Sequence, residues 1–383
     1  MSGAKRHVAG RLAVKVVIVG GGVIGLASAY ALVQAGADVT VLDAQDIPNP
    51  GSASCDLSRM MRLQYGPQSG YARLAKQALT SWHKLQHSLG VQLYHTTGVC
   101  VWPGTASTWS EATRRALRDA GLPYRVVSPK VKAGRVVAHT VLDGIWTEEG
   151  GVLLANRVVA NLAAATVRKG AQLRPKTEAT AVYPALGIVK TRAGEVIQGD
   201  AVIIAAGAWT ANLLPDLARR LTTIRSIAVY AAPPAELAAD WAAAPCTMIE
   251  TSESMLYALP PVPGAPLKLA GTANLRPGDP SRPEPVSSEE ARAVLEAFRP
   301  YLRNIDEYKI IGTSMGYYAD PPDKTFIVER RDRIMIVSGC GGRMFKFAPL
   351  LGEEIAAVLT SAAPASQLDH WTRPLAVPGN SPA

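Results

Sequence analysis

The chain has 383 residues, 48% of them hydrophobic, which is long enough for two domains with well-buried cores. Its mean hydropathy of +0.08 and the lack of any run approaching the roughly 18–20 apolar residues of a membrane span exclude a transmembrane protein. The formal net charge of +9 would suit nucleic acid, but the basic residues (Arg114, Arg115, Arg118, Arg219, Arg220, Arg330, Arg331, Arg333) are scattered without an aromatic-interleaved stripe, so a solvated basic surface that modestly attracts anionic substrates is expected and a nucleic-acid partner is not.

The basic N-terminus, MSGAKRHVAGR, runs straight into the first strand with no separate apolar segment, so no signal peptide is expected and a reducing cytoplasm is the expected location. Val16 to Val19 reads as a buried parallel strand, and Gly20, Gly22 and Gly25 follow on G-x-G-x-x-G spacing. The first glycine permits the tight turn, the second lets a pyrophosphate approach the backbone, and the third lets the next helix lie close to the strand. Residues 24–35 predict that helix, whose N-terminal N–H groups would face phosphates. A second strand, Val39 to Leu42, ends in Asp43, a carboxylate that can accept ribose hydroxyls. Asp there disfavours a 2′-phosphate, which leaves FAD and NAD open.

Cys55, Cys100, Cys246 and Cys340 are far apart, so neither a disulfide framework nor a zinc site is implied. His83 and His87 share a helix face but lack a third ligand, and no metal is expected. Residues 83–145 and 221–324 are richer in proline and carry strand-like runs (227–231, 256–259, 267–270), read as an antiparallel sheet domain inserted into the nucleotide domain. Residues 155–170 predict a helix, and 171–175 and 178–183 short strands. A hairpin-like segment precedes the strand 200–205, which enters Ala-Gly-Ala-Trp-Thr. This second glycine turn has no obvious purpose in a pure NAD dehydrogenase. Residues 286–303 read as one helix with Ser287 or Ser288 as cap and Glu290 placed for a capping box. The strand 333–338 breaks at Gly339-Cys340-Gly341-Gly342 and leads through Arg343–Pro349 into a last helix, Pro349 suiting its first turn. The final dozen residues read as a loose tail.

With these blocks in place, the sequence resembles the D-amino-acid-oxidase superfamily of flavoproteins, and is most similar to its monomeric sarcosine oxidase branch. The resemblance rests on GGGVIGLASAYALVQAG…VLDA, GSASCDLSRMMRLQY, DAVIIAAGAWT, LKLAGTANLRPGD and GCGGRMFKFAPLLGEEI, in that order. It implies an α/β (α+β overall) protein. A Rossmann-like FAD-binding domain would comprise 12–82, 146–220 and 325–372; a mixed or antiparallel substrate domain would comprise 83–145 and 221–324, with 373–383 as the tail. FAD would be held by Gly20, Gly22, Val23, Ile24, Gly25, Asp43 and Ala44 in the first unit. Ser58, Arg59 and Ala179 would add contacts, as would Ala206, Gly207 and Trp209. The last motif would contribute Gly341, Gly342, Arg343, Met344, Phe345 and Lys346.

Arg59 and Arg62 match the family's arginine pair, and the resemblance implies that Arg62 and Lys346 clamp the substrate carboxylate. A guanidinium fork suits that task because it makes paired charge-assisted bonds. Lys268 aligns with the lysine placed near the flavin's reactive edge, where a fixed positive charge favours reoxidation by oxygen. Tyr318 falls within a residue of the family's active-site tyrosine, with Tyr317 as its rival. Thr272 stands where sarcosine oxidases have histidine, and Met344 replaces a glycine, so both would reshape the substrate pocket. Met315 and Gly316 occupy the positions of the branch's flavin-linking cysteine, so FAD is expected to be non-covalent. The implied activity is oxidation of a secondary or cyclic amine bearing a carboxylate, giving an imine that hydrolyses, with hydrogen peroxide from oxygen. A dehydrogenase of the same fold feeding a quinone or carrier protein is the alternative. A non-catalytic flavin-binding subunit is a third, which should lack the Arg62, Lys346 and Lys268 set. A monomer or small homo-oligomer is expected.

Overall fold

The computed structural model describes residues 13–104, 108–129, 141–361 and 363–372; the expected tail and the basic N-terminus lie outside them. The strand Lys15–Val19 sits inside a six-stranded sheet with Ile327–Arg331 and Ile334–Ser338 at one edge, then Ala201–Ile204, and Asp38–Leu42 and Gln172–Arg174 on its other side. All pairings are parallel except that of the edge strand Ile327–Arg331. Successive residues of the first strand enter different cores. Val16 and Ile18 pack under the helices Val23–Gln34, Ala155–Arg168 and Ala348–Thr360, whereas Val17 and Val19 pack with Val189 and Ile197 of a three-stranded antiparallel layer. Burial on both faces is why this strand reads as an unbroken apolar run.

Two close approaches depend on glycine. A Cβ on Gly25 would lie 1.9 Å from the Gly20 carbonyl oxygen, and one on Gly352 would lie 2.7 Å from that of Ala27. The first seats the helix Val23–Gln34 on its strand, and the second lets the helix Ala348–Thr360 touch it backbone to backbone.

A nine-stranded sheet draws its strands from 99–147 and 222–320. It is mixed, because Cys246–Glu250 runs parallel to Val99–Pro103 while its other pairings are antiparallel. Its long strand Thr222–Ala232 pairs with both Leu267–Gly271 and Lys309–Asp320 and sets Tyr230 opposite Lys268. One further difference from the sequence reading has a local cause. The helix expected over 286–303 spans Ser288–Glu296; Pro300 has no N–H to continue it and disfavours helical geometry at Arg299. The helix Ser69–Leu89 is continuous through 82/83, with Trp82 and Leu85 on its buried face.

Glu290 closes the capping box with Ser287 and also receives Arg225, which is 1% exposed. Arg225 Nη1 donates to Glu290 Oε1 at 2.7 Å and Nη2 to Oε2 at 3.0 Å. Glu290→Ala should therefore lower the unfolding free energy by roughly 3 kcal/mol in urea titrations, through a lost cap and a buried guanidinium left without its carboxylate. Glu290→Gln, which keeps acceptor geometry, should cost less.

Candidate active site

After the strand Asp38–Leu42, Asp43 Oδ2 accepts the N–H of Gly21 in the turn after the first strand at 2.8 Å, and Oδ1 accepts the Gln45 N–H at 2.9 Å. Burial raises the Asp43 pKa above the ordinary carboxylate value, and these hydrogen bonds oppose the rise. The Thr177 N–H donates to the Asp43 carbonyl at 2.7 Å, which brings the strand opening at Ala179 alongside; Ala44 is exposed next to it. Val23 N–H donates to Ser54 Oγ at 3.0 Å, and the 12-residue helix beginning at Val23 directs its positive end at this turn. Gly207, with φ +56°, opens the turn that carries Ala206 and Trp209, and a Cβ there would meet nothing within 4 Å. Ser58 Oγ is fully buried and has no hydrogen-bond partner among the described residues.

The segment after this turn holds a carboxylate that the sequence reading missed. Asp56 Oδ2 receives both Lys268 Nζ and Arg59 Nη1, and Oδ1 receives the Tyr230 hydroxyl and the Leu57 N–H. Lys268 is 5% exposed and gives a further bond to the Ser58 carbonyl at 3.1 Å, so it is no solvent-facing strand lysine. Burial, then the Arg59 charge, pushes its pKa well down; contact with the Asp56 carboxylate works against that shift. The Asp56 and Leu57 carbonyls also take the N–H groups of Asn156 and Ala155 at 2.8 and 3.1 Å, which ties the helix Ala155–Arg168 to the same point. In the sequence, Asp56 offered only an i, i+3 spacing to Arg59 as a signal.

A few residues further on, the cations have no such partner. The Arg62 guanidinium lies over the Tyr65 ring, Cζ 4.6 Å from its centroid, and Lys346 Nζ is 5.7 Å from that same centroid. Their hydrogen bonds go to neutral carbonyls: Arg62 to Gln64, and Lys346 to Arg343 at 3.2 Å. Burial, with Arg62, Arg343 and Arg59 adding repulsion, lowers the Lys346 pKa well below its usual range. Trp82 Nε1 fixes the Lys346 carbonyl at 2.7 Å and stacks on Phe345, and Met344 is buried in the same core. Gly341 and Gly342, both with positive φ, bend the chain into this 3-10 turn.

Tyr257 lies beside both Arg59 and Arg62 and Cys340 beside Arg59, while Tyr318 neighbours Tyr257, Cys340 and Arg343. Burial raises the pKa of both phenols, so each stays protonated at neutral pH. Tyr257 was also missed. Of the two tyrosines in contention, Tyr318 packs over Gly342 on this side. Tyr317 is directed elsewhere: it is the strand partner of Arg225, and its hydroxyl accepts the Glu284 N–H at 3.1 Å. Thr272 sits on an exposed turn with its hydroxyl accepting the Met255 N–H at 2.9 Å. Among the described residues no cluster could hold a metal ion, and no helix is long and apolar enough to cross a membrane.

The sequence of residues 15–358 matches the family described as DAO, FAD dependent oxidoreductase. The chain belongs to that family. As a DAO-family member it is an FAD-dependent oxidoreductase. N-methyl-L-tryptophan oxidase from Yersinia pestis (strain Pestoides F) is 25% identical over 350 residues, covering 89% of this chain and 93% of the relative. Among solved structures, NikD, described as an unusual amino acid oxidase essential for nikkomycin biosynthesis, superposes with a TM-score of 0.77 at 23% identity, covering 94% of this chain and 97% of that one. L-proline dehydrogenase from P. horikoshii gives 0.79 at 20% identity with the same coverages, 94% and 97%. These structures share the DAO fold, a mixed α/β arrangement of several sheets.

Substitution at the two ends of this site should have separable effects. Gly25→Ala would drive a methyl into the Gly20 carbonyl and should yield colourless protein on purification. Asp56→Asn should lower stability at pH 7 by roughly 3 kcal/mol, because two cations lose their counter-charge. The double variant Asp56→Asn/Lys268→Met should recover part of that loss in urea titrations, since one uncompensated charge is then gone.

Proposed function

We propose that this chain oxidises a secondary or cyclic amine that bears an acidic group, delivers the electrons to oxygen, and holds FAD without a covalent link. One observation carries the reading. Lys346 is buried and Arg62 half-buried over one aromatic ring, no carboxylate among the described residues pairs with either of them, and Lys268 lies on the neighbouring strand layer. Buried cations without a counter-charge are costly, and a bound carboxylate removes that cost.

The residues present fit FAD: the glycine turn with the positive helix end at Val23, the Asp43 carboxylate, the exposed Gly207 turn and the Ser58 hydroxyl, unbonded among the described residues, are suited to hold it. FAD, when bound, supplies the two-electron oxidation of the amine. The protein's part is placement and charge. The Arg62 fork takes the substrate acid group in paired bonds, and Lys346 gains proton affinity as that negative charge arrives. The surrounding positive field disfavours an ammonium, so the amine enters neutral, the form with a lone pair to oxidise. Tyr257 and Tyr318, being protonated, serve as donors and exclude water; neither is a base at neutral pH. Lys268, oriented by Asp56 and the Ser58 carbonyl, presents its remaining charge to oxygen.

The alternative of a dehydrogenase passing electrons to a quinone or carrier protein draws support from the same contact, because Asp56 offsets much of the Lys268 charge. Under air, substrate turnover should release hydrogen peroxide; turnover only with an added quinone would select the alternative. Lys268→Met should slow reoxidation by at least about tenfold while leaving anaerobic flavin bleaching nearly unchanged, measured by stopped flow. Arg62→Gln should raise KM far more than it lowers kcat. Acid precipitation should leave the yellow colour in the supernatant, and colour in the pellet would refute non-covalent binding.

A further inference from the structure

The charge balance around the acid-binding end goes beyond what one carboxylate explains. Three neighbouring cations, Arg62, Lys346 and Arg343, are tied to neutral acceptors. Arg343 Nη1 donates to the Gln68 side-chain oxygen at 3.1 Å and Nη2 to the Lys324 carbonyl, while its guanidinium lies 5.6 Å from the centroids of both Tyr71 and Phe326. None of the ion pairs among the described residues involves any of the three.

No nearby acid closes to an ion pair with the three cations. Asp56 is shared by Arg59 and Lys268, and Asp323 takes the N–H and hydroxyl of Thr325 at 3.0 and 2.8 Å; Asp320 pairs with Lys324 through Oδ2, while its Oδ1, without a hydrogen-bond partner among the described residues, lies across Gly341 from Arg343 and offsets part of that one charge. The three cations are also close enough to feel one another, since Arg343 depresses the proton affinity of Arg62 and of Lys346. Beneath them the rings of Tyr65 and Tyr71, 5.7 Å apart, supply π-faces but no formal charge. The Tyr65 hydroxyl is buried, its residue 3% exposed, and has no hydrogen-bond partner among the described residues. Like-charged groups in a low-dielectric pocket repel strongly, so an arrangement with this much uncompensated charge is relieved far better by two negative charges than by one.

We propose that this site takes a dianionic amine: one acid group on the Arg62–Lys346 pair and a second anionic charge facing Arg343, as in N-substituted amino dicarboxylates or aminophosphonates. Arg343 is then a specificity residue, its side chain having a role that its glycine-turn context did not suggest. The proposal rests on the amine-oxidase reading for the word amine, and on the cation cluster alone for the word dianionic.

The test uses the FAD-loaded enzyme and two unreactive probes of similar length, succinate and butyrate, titrated at low ionic strength by calorimetry and by perturbation of the flavin spectrum. Succinate should bind at least about tenfold more tightly than butyrate, a preference that shrinks as salt is added. Arg343→Gln should cost succinate about tenfold more than it costs butyrate, and Arg343→Lys, which keeps the charge without the fork, should retain part of the preference. Should Arg343→Gln fail to fold, the wild-type comparison and Arg343→Lys still decide. Replacing succinate with methylphosphonate distinguishes a dicarboxylate pocket from a phosphonate pocket. Equal affinity for succinate and butyrate, binding of neither, or an equal loss of both in Arg343→Gln overturns the proposal. Failure of the underlying reading looks different: no carboxylated secondary amine bleaches the flavin anaerobically, although the preference for succinate stands.

Discussion

The Asp56 carboxylate is the constraint on which the rest of the site depends. It joins Lys268 and Tyr230, cross-strand neighbours in the nine-stranded sheet, to Arg59 in the segment that follows the nucleotide-binding turn. Its own carbonyl and that of Leu57 hold the start of the helix Ala155–Arg168, which packs beneath the six-stranded sheet. One buried acid thus fixes three separate elements at a single point. A buried ion pair is weak evidence of net stability, because desolvation offsets the attraction, but it specifies geometry sharply. An aliphatic residue at 56 could fill the space, yet it would leave Lys268 free to turn.

The positive charges of the site are consequently of two kinds. Arg59 and Lys268 are held against a carboxylate and keep a fixed place. Arg62, Arg343 and Lys346 are held only by carbonyls, an amide and aromatic faces, and so retain their attraction for an incoming anion. The difference is one of function as well as of packing. A counter-charge supplied by the protein at the second group would compete with the ligand, whereas neutral acceptors orient the same side chains without cancelling them. The scattered arginines of the surface play no part in this, which is why a net charge of +9 by itself said little about the partner.

The nucleotide-binding half was legible because its signals are local. Gly20, Gly22, Gly25 and Asp43 lie within one βαβ unit, and sterics ties each to its place; the Gly25 contact with the Gly20 carbonyl is the clearest case. What escaped the sequence was fixed by contacts between distant segments. Asp56 and Lys268 are 212 positions apart, and nothing near Asp56 marks it as buried. Tyr317 and Tyr318 could not be separated because a single step along a strand reverses the face, and only the register of Lys309–Asp320 against Thr222–Ala232 decides which ring meets Gly342. Arg343 was read with the glycine turn beside it, and its charge acquires meaning only once Arg62 and Lys346 are seen to lack partners.

The two kinds of cation also account for how the site can handle a substrate whose ends carry opposite chemical demands. An amine is oxidised from its neutral form, while recognition of an acid group needs positive charge nearby. In the proposed reading, cations that are buried or half-buried meet both demands at once: they would attract the anion and, by the same field, make it harder to hold a proton on nitrogen. Burial first, and the neighbouring arginines second, lower the proton affinity of Lys346, an amine already inside the protein. In the proposed reading a substrate nitrogen brought to the same neighbourhood would meet the same desolvation and repulsion, without any side-chain base being required to remove its proton. The protonated phenols of Tyr257 and Tyr318 fit that account, since they can donate hydrogen bonds near the reacting atoms but are poorly suited to accept a proton at neutral pH.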